Sequence, residues 1–170
     1  AELLASTLSG LPIERAFVVH GDGGWDEATP AGPFTVFDVR PGRVTRSVRD
    51  PKDHGLPRCA PDALRGGTAA YNAARLTAAI EGEPGPHRDA LVLGAALVLE
   101  ITGLCPDPRA ALAEARARAE EEARLRRMAQ EEARIAAERE RVERARAHEA
   151  KLRAEEQGAE LARGQAKAEA

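Results

Sequence analysis

A chain of 170 residues with 31% charged side chains and a formal net charge of −3 is long enough for one domain. It has no basic excess to recruit nucleic acid, no apolar run approaching the ~20 residues of a membrane span, and no basic-then-apolar signal segment at its start. It is not uniform: the prolines all lie at or before Pro108, the aromatics at or before Tyr71, and thirteen of the fifteen glycines at or before Gly103, whereas residues 111–170 hold 14 acidic, 14 basic and 19 alanine residues.

In chain order, residues 1–9 read as the end of a helix with Leu3, Leu4 and Leu8 on one face and Gly10 as its stop. Ala16 to His20, closed by Gly21, is the pattern of a short strand buried on both faces, as in a parallel sheet. Gly21 to Pro33 is a loop dense in turn residues. Phe34–Val39 and Arg43–Arg49 flank Pro41-Gly42 and predict a hairpin with one wet face. After a Pro-rich loop, Pro61 to Leu64 predicts a short helical turn. Thr68 then caps a helix through Ala79 that carries Tyr71, Leu76 and Ile80 as its apolar stripe.

Asp89 to Ile101 is apolar nearly all round and predicts a buried helix closed by Gly103, with Arg88-Asp89 as its N-terminal capping arrangement. The last helix starts near Pro108 and meets no stop for some fifty residues. Its large apolar side chains are only Leu112, Leu125, Met128, Ile135, Val142, Leu152 and Leu161, too few for a core of its own. The expected organisation is an α/β portion over residues 1–104 and, over 105–170, a long Ala/Glu/Arg-rich helix or weak coiled coil. Recurrent Glu-to-Arg spacings of four favour a solvated helix, and the sevenfold spacing of Met128, Ile135 and Val142 supplies half of a coiled-coil seam. Fraying is expected after Gly158 and Gly164.

Chemistry concentrates in the loop after the first strand, because open α/β sheets bind ligands beyond the carboxyl ends of their strands. Gly21, Gly23 and Gly24 would let backbone amides approach a phosphate, but Asp26 and Glu27 would repel one unless a divalent cation stood between. The residues alone leave two readings: solvated turn carboxylates, or a Mg²⁺-diphosphate site. His20 reads as a hydrogen-bonded structural histidine. His54 and Cys59 lie in a Pro-rich loop without the context of a nucleophile, and no His/Cys pair has zinc spacing. Cys59 and Cys105, far apart, fit a reducing cytoplasm better than a disulfide scaffold. A first residue of Ala in place of Met is what a processed or incomplete chain would show.

Successive motifs carry a family resemblance. Glu14-Arg15-Ala16-Phe17-Val18-Val19-His20-Gly21, then Trp25-Asp26-Glu27-Ala28-Thr29-Pro30 and Gly32-Pro33, followed by Gly55-Leu56-Pro57-Arg58, Leu64-Arg65-Gly66-Gly67, Asn72-Ala73, Glu81-Gly82-Glu83 and Gly85-Pro86-His87-Arg88-Asp89-Ala90, resemble the anthranilate phosphoribosyltransferase family in order and spacing over residues 1–104. The resemblance implies the C-terminal portion of a phosphoribosyltransferase/nucleoside-phosphorylase-like α/β domain. It further implies a Mg²⁺-dependent pentosyltransferase of tryptophan biosynthesis that joins anthranilate to 5-phosphoribosyl diphosphate (PRPP) and releases diphosphate, with Asp26 and Glu27 as the metal-holding pair. A homodimer is expected in the parent family, and self-association through the long helix here.

A GTGGD-type loop, a Ser and an Asn for metal and ribose, a KHGNR segment and an Arg for the anthranilate carboxylate are also implied, and none is in this sequence. The match therefore corresponds to the C-terminal third of such an enzyme, expected to be inactive alone. Thr68, Gly94 and Trp25 stand where the family usually has Asp, often Asn, and a smaller residue. A nucleoside phosphorylase fits the Asp-Glu loop and its Thr-Pro-x-Gly-Pro segment less well. A second class of reading is a non-catalytic interaction protein whose α/β part anchors a coiled-coil arm.

Overall fold

Glycine and proline divide this chain where the fold turns. The computed structural model describes residues 1–168, with side chains through Gly158. In order come α1 (Glu2–Ser9), β1 (Ala16–Gly21), β2 (Phe34–Arg40), β3 (Arg43–Arg49), 3₁₀ turns at Pro51–His54 and Pro61–Leu64, α2 (Ala69–Ile80), α3 (Pro86–Ile101) and α4 (Pro108–Ala168). Residues 1–125 form one compact unit, and the rest of α4 forms a second. Among the described residues no helix is long and apolar enough to cross a membrane.

The three strands form one sheet in the order β1-β2-β3, both pairings antiparallel, with Val18 opposite Phe37, Val19 opposite Val36 and Phe34 opposite Arg49. This corrects the parallel setting expected for β1. The apolar run Phe17-Val18-Val19 reports that both faces of the strand are covered, and coverage leaves the same signature whichever way the neighbour runs. On one face Val18, Phe37 and Val39 pack with Ala5, Leu8 and Ile13 of the α1 region. On the other, Phe17, Val19, Phe34 and Val36 pack with Val92, Leu93, Ala96 and Leu99 of α3 and with Ala111, Leu112 and Ala115 of α4. The result is three layers, with the hairpin turn at Pro41-Gly42 and β3 largely exposed.

The helices keep their predicted places with informative differences. Thr68 caps α2, its Oγ1 accepting from the Tyr71 amide at 3.2 Å. The expected apolar stripe is not buried, since Tyr71, Leu76 and Ile80 are all exposed and Ala79 is the residue that packs. α3 begins three residues earlier than expected because Pro86 serves at its first position, and Asp89 lies in the first turn with no side-chain cap bond. The N-terminal place expected for Asp89, where the helix dipole favours it, is thus the one it has, without a cap hydrogen bond, while Arg88 reaches to Glu120 of α4 at 2.9 Å. Only one side of α3 is buried, and Leu91 and Val98 stand open.

At the C-terminal end of α3, buried Glu100 takes both guanidinium nitrogens of Arg49, at 2.5 and 2.8 Å. Arg15 lies beside it, donating to the Glu100 carbonyl at 3.0 Å and to both Asp38 oxygens at 2.9 Å, with its guanidinium over the Phe17 ring. Two arginines, two carboxylates and one aromatic ring thus tie α3 to the sheet. α4 starts at Pro108, as predicted, and its Ala111, Leu112, Ala115 and Ala123 are buried. The fraying expected after Gly158 and Gly164 falls on side chains outside those described; the helix backbone continues to Ala168.

Candidate functional site

The Gly21–Pro33 loop is built by its own backbone. The Gly21 amide donates to the Trp25 carbonyl at 2.9 Å, and the Asp22 amide to the Pro33 carbonyl at 2.8 Å. The Gly23 amide donates to the Asp22 carboxylate at 2.9 Å. A Cβ on Gly21 would sit 2.6 Å from the Glu27 carbonyl oxygen and 2.8 Å from Trp25 Cβ, so no other residue fits there without moving the loop. Gly23 and Gly24 have φ of 77° and 89°, the left-handed region where glycine alone is unstrained. The glycines therefore serve the turn. Two of the amides expected to cradle a phosphate, those of Gly21 and Gly23, are spent inside the loop.

The loop's far side is anchored while its tip is free. Ala28, Thr29 and Pro30 are buried, Thr29 Oγ1 accepts from the Ala31 amide at 3.3 Å, and the Pro30 carbonyl accepts from the Cys59 amide at 3.2 Å. Asp26 and Glu27 project between these fixed points, both exposed, and neither makes an internal hydrogen bond or ion pair among the described residues. Two uncommitted carboxylates side by side are a hard, anionic donor pair. Mg²⁺ typically takes one or two protein carboxylates and completes its six positions with water and substrate phosphate oxygens. The pair fits that partial role. It does not make a closed site, since no group of three or more His, Cys, Asp or Glu residues able to hold a metal occurs among the described residues.

A cleft of about 410 Å³ opens beside the tip, lined by Trp25 and Glu27 from the loop, Asn72 and Arg75 from α2, and His87 and Gly94 from α3. A side chain at Gly94 would meet nothing within 4 Å, so the cleft extends over that turn of helix. Arg75 is tied across to Glu83 at 3.1 Å, and Asn72 is tied to the Gly67 amide at 2.8 Å. Arg58, paired with Asp50, and Asp22 both lie within 4 Å of where a Cβ on Gly32 would stand. Sequence reasoning did not single out Arg58, Arg75 or His87 as site residues. They lie some 30 to 60 residues from the acidic pair, and only the folded chain brings them to one loop.

The other candidates separate from this site. His20 is exposed and its imidazole makes no hydrogen bond among the described residues, so the hydrogen-bonded structural role expected for that side chain is not the one it has; it lines a shallow cleft with Gly21, Asp22 and Thr35. Burial pushes the Cys59 thiol above its ordinary pKa, opposite to what a thiolate nucleophile requires.

Residues 1–124 match the model of the glycosyl transferase family, a/b domain. The chain belongs to that family. Its relatives bear out the resemblance carried by the motifs. The anthranilate phosphoribosyltransferase of Chloroflexus aurantiacus is 48% identical over 118 residues, 68% of this chain and 35% of the relative, and that of Desulforudis audaxviator is 45% identical over 112 residues, 66% and 32% respectively. Among solved structures, anthranilate phosphoribosyltransferase from Thermus thermophilus superposes with a TM-score of 0.54 at 35% identity, covering 65% of this chain and 33% of its own. A Saccharomyces cerevisiae variant enzyme with Mg bound has the same fold at 20% identity, with a TM-score of 0.61 over 74% and 38% of the two chains. The chain thus spans about a third of the length of the relatives it matches.

Proposed function

We propose that this glycosyl transferase family chain supplies the metal-holding loop of a Mg²⁺-dependent phosphoribosyltransferase that joins anthranilate to PRPP. The observation that carries the reading is the Asp26–Glu27 pair, exposed and uncommitted at the tip of a loop whose two sides are pinned. Held there, the carboxylates would keep Mg²⁺ against the diphosphate of PRPP, where it would neutralise the charge that grows as the leaving group departs. The backbone bonds of Gly21 and Asp22 fix the spacing of the pair, so little ordering is left for the moment of binding. The free thiols of Cys59 and Cys105 suit a reducing cytoplasmic setting.

The resemblance implies that turnover also uses groups outside these 170 residues: a diphosphate loop, a ribose-binding Ser and Asn, and an Arg for the anthranilate carboxylate. The exposed apolar side of α3 and the outer edge of β1, which pairs with no strand among the described residues, are where the portion of the enzyme carrying them would seat. The test mixes this chain with the remaining two-thirds of the Chloroflexus aurantiacus relative. A complex by gel filtration, with Mg²⁺-dependent diphosphate release that needs anthranilate and disappears in Asp26→Ala, is the expected result. A complex that forms and releases no diphosphate sinks the catalytic reading.

A further inference from the structure

Residues 126–158 of α4 carry a pattern that the transferase reading does not use. The segment contains neither Pro nor, before its last residue, Gly, and only Ile135 and Val142 are β-branched, so its intrinsic helix propensity is high throughout. Acid–base pairs line it one after another: Glu131–Arg134, Glu138–Arg141, Glu140–Arg144, Glu149–Arg153 and Lys151–Glu155. Four of the five run from Glu to Arg toward the C-terminus, the orientation that also favours the helix dipole. Each pair contributes little alone, but several within 33 residues, on a segment more than twice the length at which isolated helices become stable, sum to a helix that needs no partner.

The apolar residues do not supply a seam. Met128, Ile135 and Val142 share one heptad position, but the fourth member of the series is Glu149. A two-helix seam needs a second apolar series three or four residues on, and those places hold Glu131 and Glu132, then Glu138 and Arg139, then Ala145 and Arg146. A parallel copy would set Glu131 against Glu131 and Glu138 against Glu138, pulling both out of their pairs with Arg134 and Arg141 and burying like charges together. Met128, Ile135 and Val142 are meanwhile 50%, 41% and 38% exposed, as scattered apolar residues on a solvated helix are.

We infer that residues 126–158 form a monomeric, self-supporting helix of ~50 Å at 1.5 Å per residue, stabilised by its charge ladder and not by a coiled-coil partner. This inference is independent of the transferase reading.

The test uses the full chain and hydrogen exchange read residue by residue, so that any association of the compact unit does not mask the result. Amides of 126–158 exchange at rates that stay the same within about twofold when the protein concentration changes a hundredfold; a coiled-coil dimer would slow them by about tenfold over that range through mass action. Replacing Met128, Ile135 and Val142 together by Gln leaves protection and circular dichroism in place, because Gln keeps the helix propensity. The triple change Glu131→Gln, Glu138→Gln and Glu140→Gln lowers the helical signal and speeds exchange in this segment. Protection that rises with concentration, or that is lost in the first variant and kept in the second, overturns the proposal.

Discussion

Gly21 shows how a single residue joins fold and site. It ends β1, its amide closes the loop on Trp25, and a methyl group there would collide with a backbone carbonyl at 2.6 Å. Because the neighbour is backbone, relaxation must move the loop itself. Gly21→Ala is therefore expected to cost roughly 1–3 kcal/mol, in the range of overpacked sites, read as a lower urea midpoint. It should also lower the Mg²⁺-dependent activity proposed for the mixture with the rest of the enzyme, since Glu27 provides that carbonyl. Asp26→Asn and Glu27→Gln should separate the two effects. Both side chains are exposed and unpaired, so stability stays within about 0.5 kcal/mol, while the Mg²⁺-dependent diphosphate release proposed for the mixture with the remaining two-thirds of the relative falls sharply. The acidic pair was legible in the sequence because two adjacent carboxylates among glycines stand out. The use of the glycine amides was not, because the partner of the Asp22 amide is Pro33, eleven residues on, and nothing local announces that bond.

Among the elements, the join between α3 and the sheet is the most consequential contact. Glu100 is only 5% exposed and bidentate to Arg49. Removing one partner of such a pair leaves a charge uncompensated in a dry place, so Glu100→Ala is expected to cost about 3 kcal/mol or more. Replacing Arg49 and Glu100 together by Met should recover much of that loss in a double-mutant cycle. Asp38, on β2, adds a pH dependence. Its hydrogen bonds from Arg15 hold its carboxyl below the usual carboxylate range. A carboxylate lowered in the folded state contributes stability that is present above its unfolded pKa and lost as pH falls through the folded value. Denaturant midpoints of the compact unit should thus drop below about pH 4, and Asp38→Asn should flatten that part of the profile while lowering stability at neutral pH.

For the molecule as a whole, what the sequence revealed and what it withheld have one physical cause. Apolar runs, caps and breakers are local, and they placed the strands, the hairpin and the start of α4 correctly. Strand direction depends on which neighbour is present, and Phe17-Val18-Val19 looks the same beside an antiparallel β2 as it would in a parallel sheet. The same ambiguity affects α3, whose all-round apolar sequence predicts full burial although Leu91 is 45% and Val98 58% exposed. These two lie seven residues apart, on one side of the helix, with Gly94 and Ala95 between them also open. On the function proposed above, this exposed apolar side of the helix is where the larger portion of the enzyme would seat. Substituting both Leu91 and Val98 by Arg should leave the unfolding free energy of the unit within about 1 kcal/mol, because neither residue is in its core. The same variant should bind the remaining two-thirds of the Chloroflexus aurantiacus relative more weakly, and the loss should appear in gel filtration before any activity is measured. If the variant binds as tightly as the parent chain, this side of α3 is not where the larger portion docks, and the outer edge of β1 must carry the contact instead.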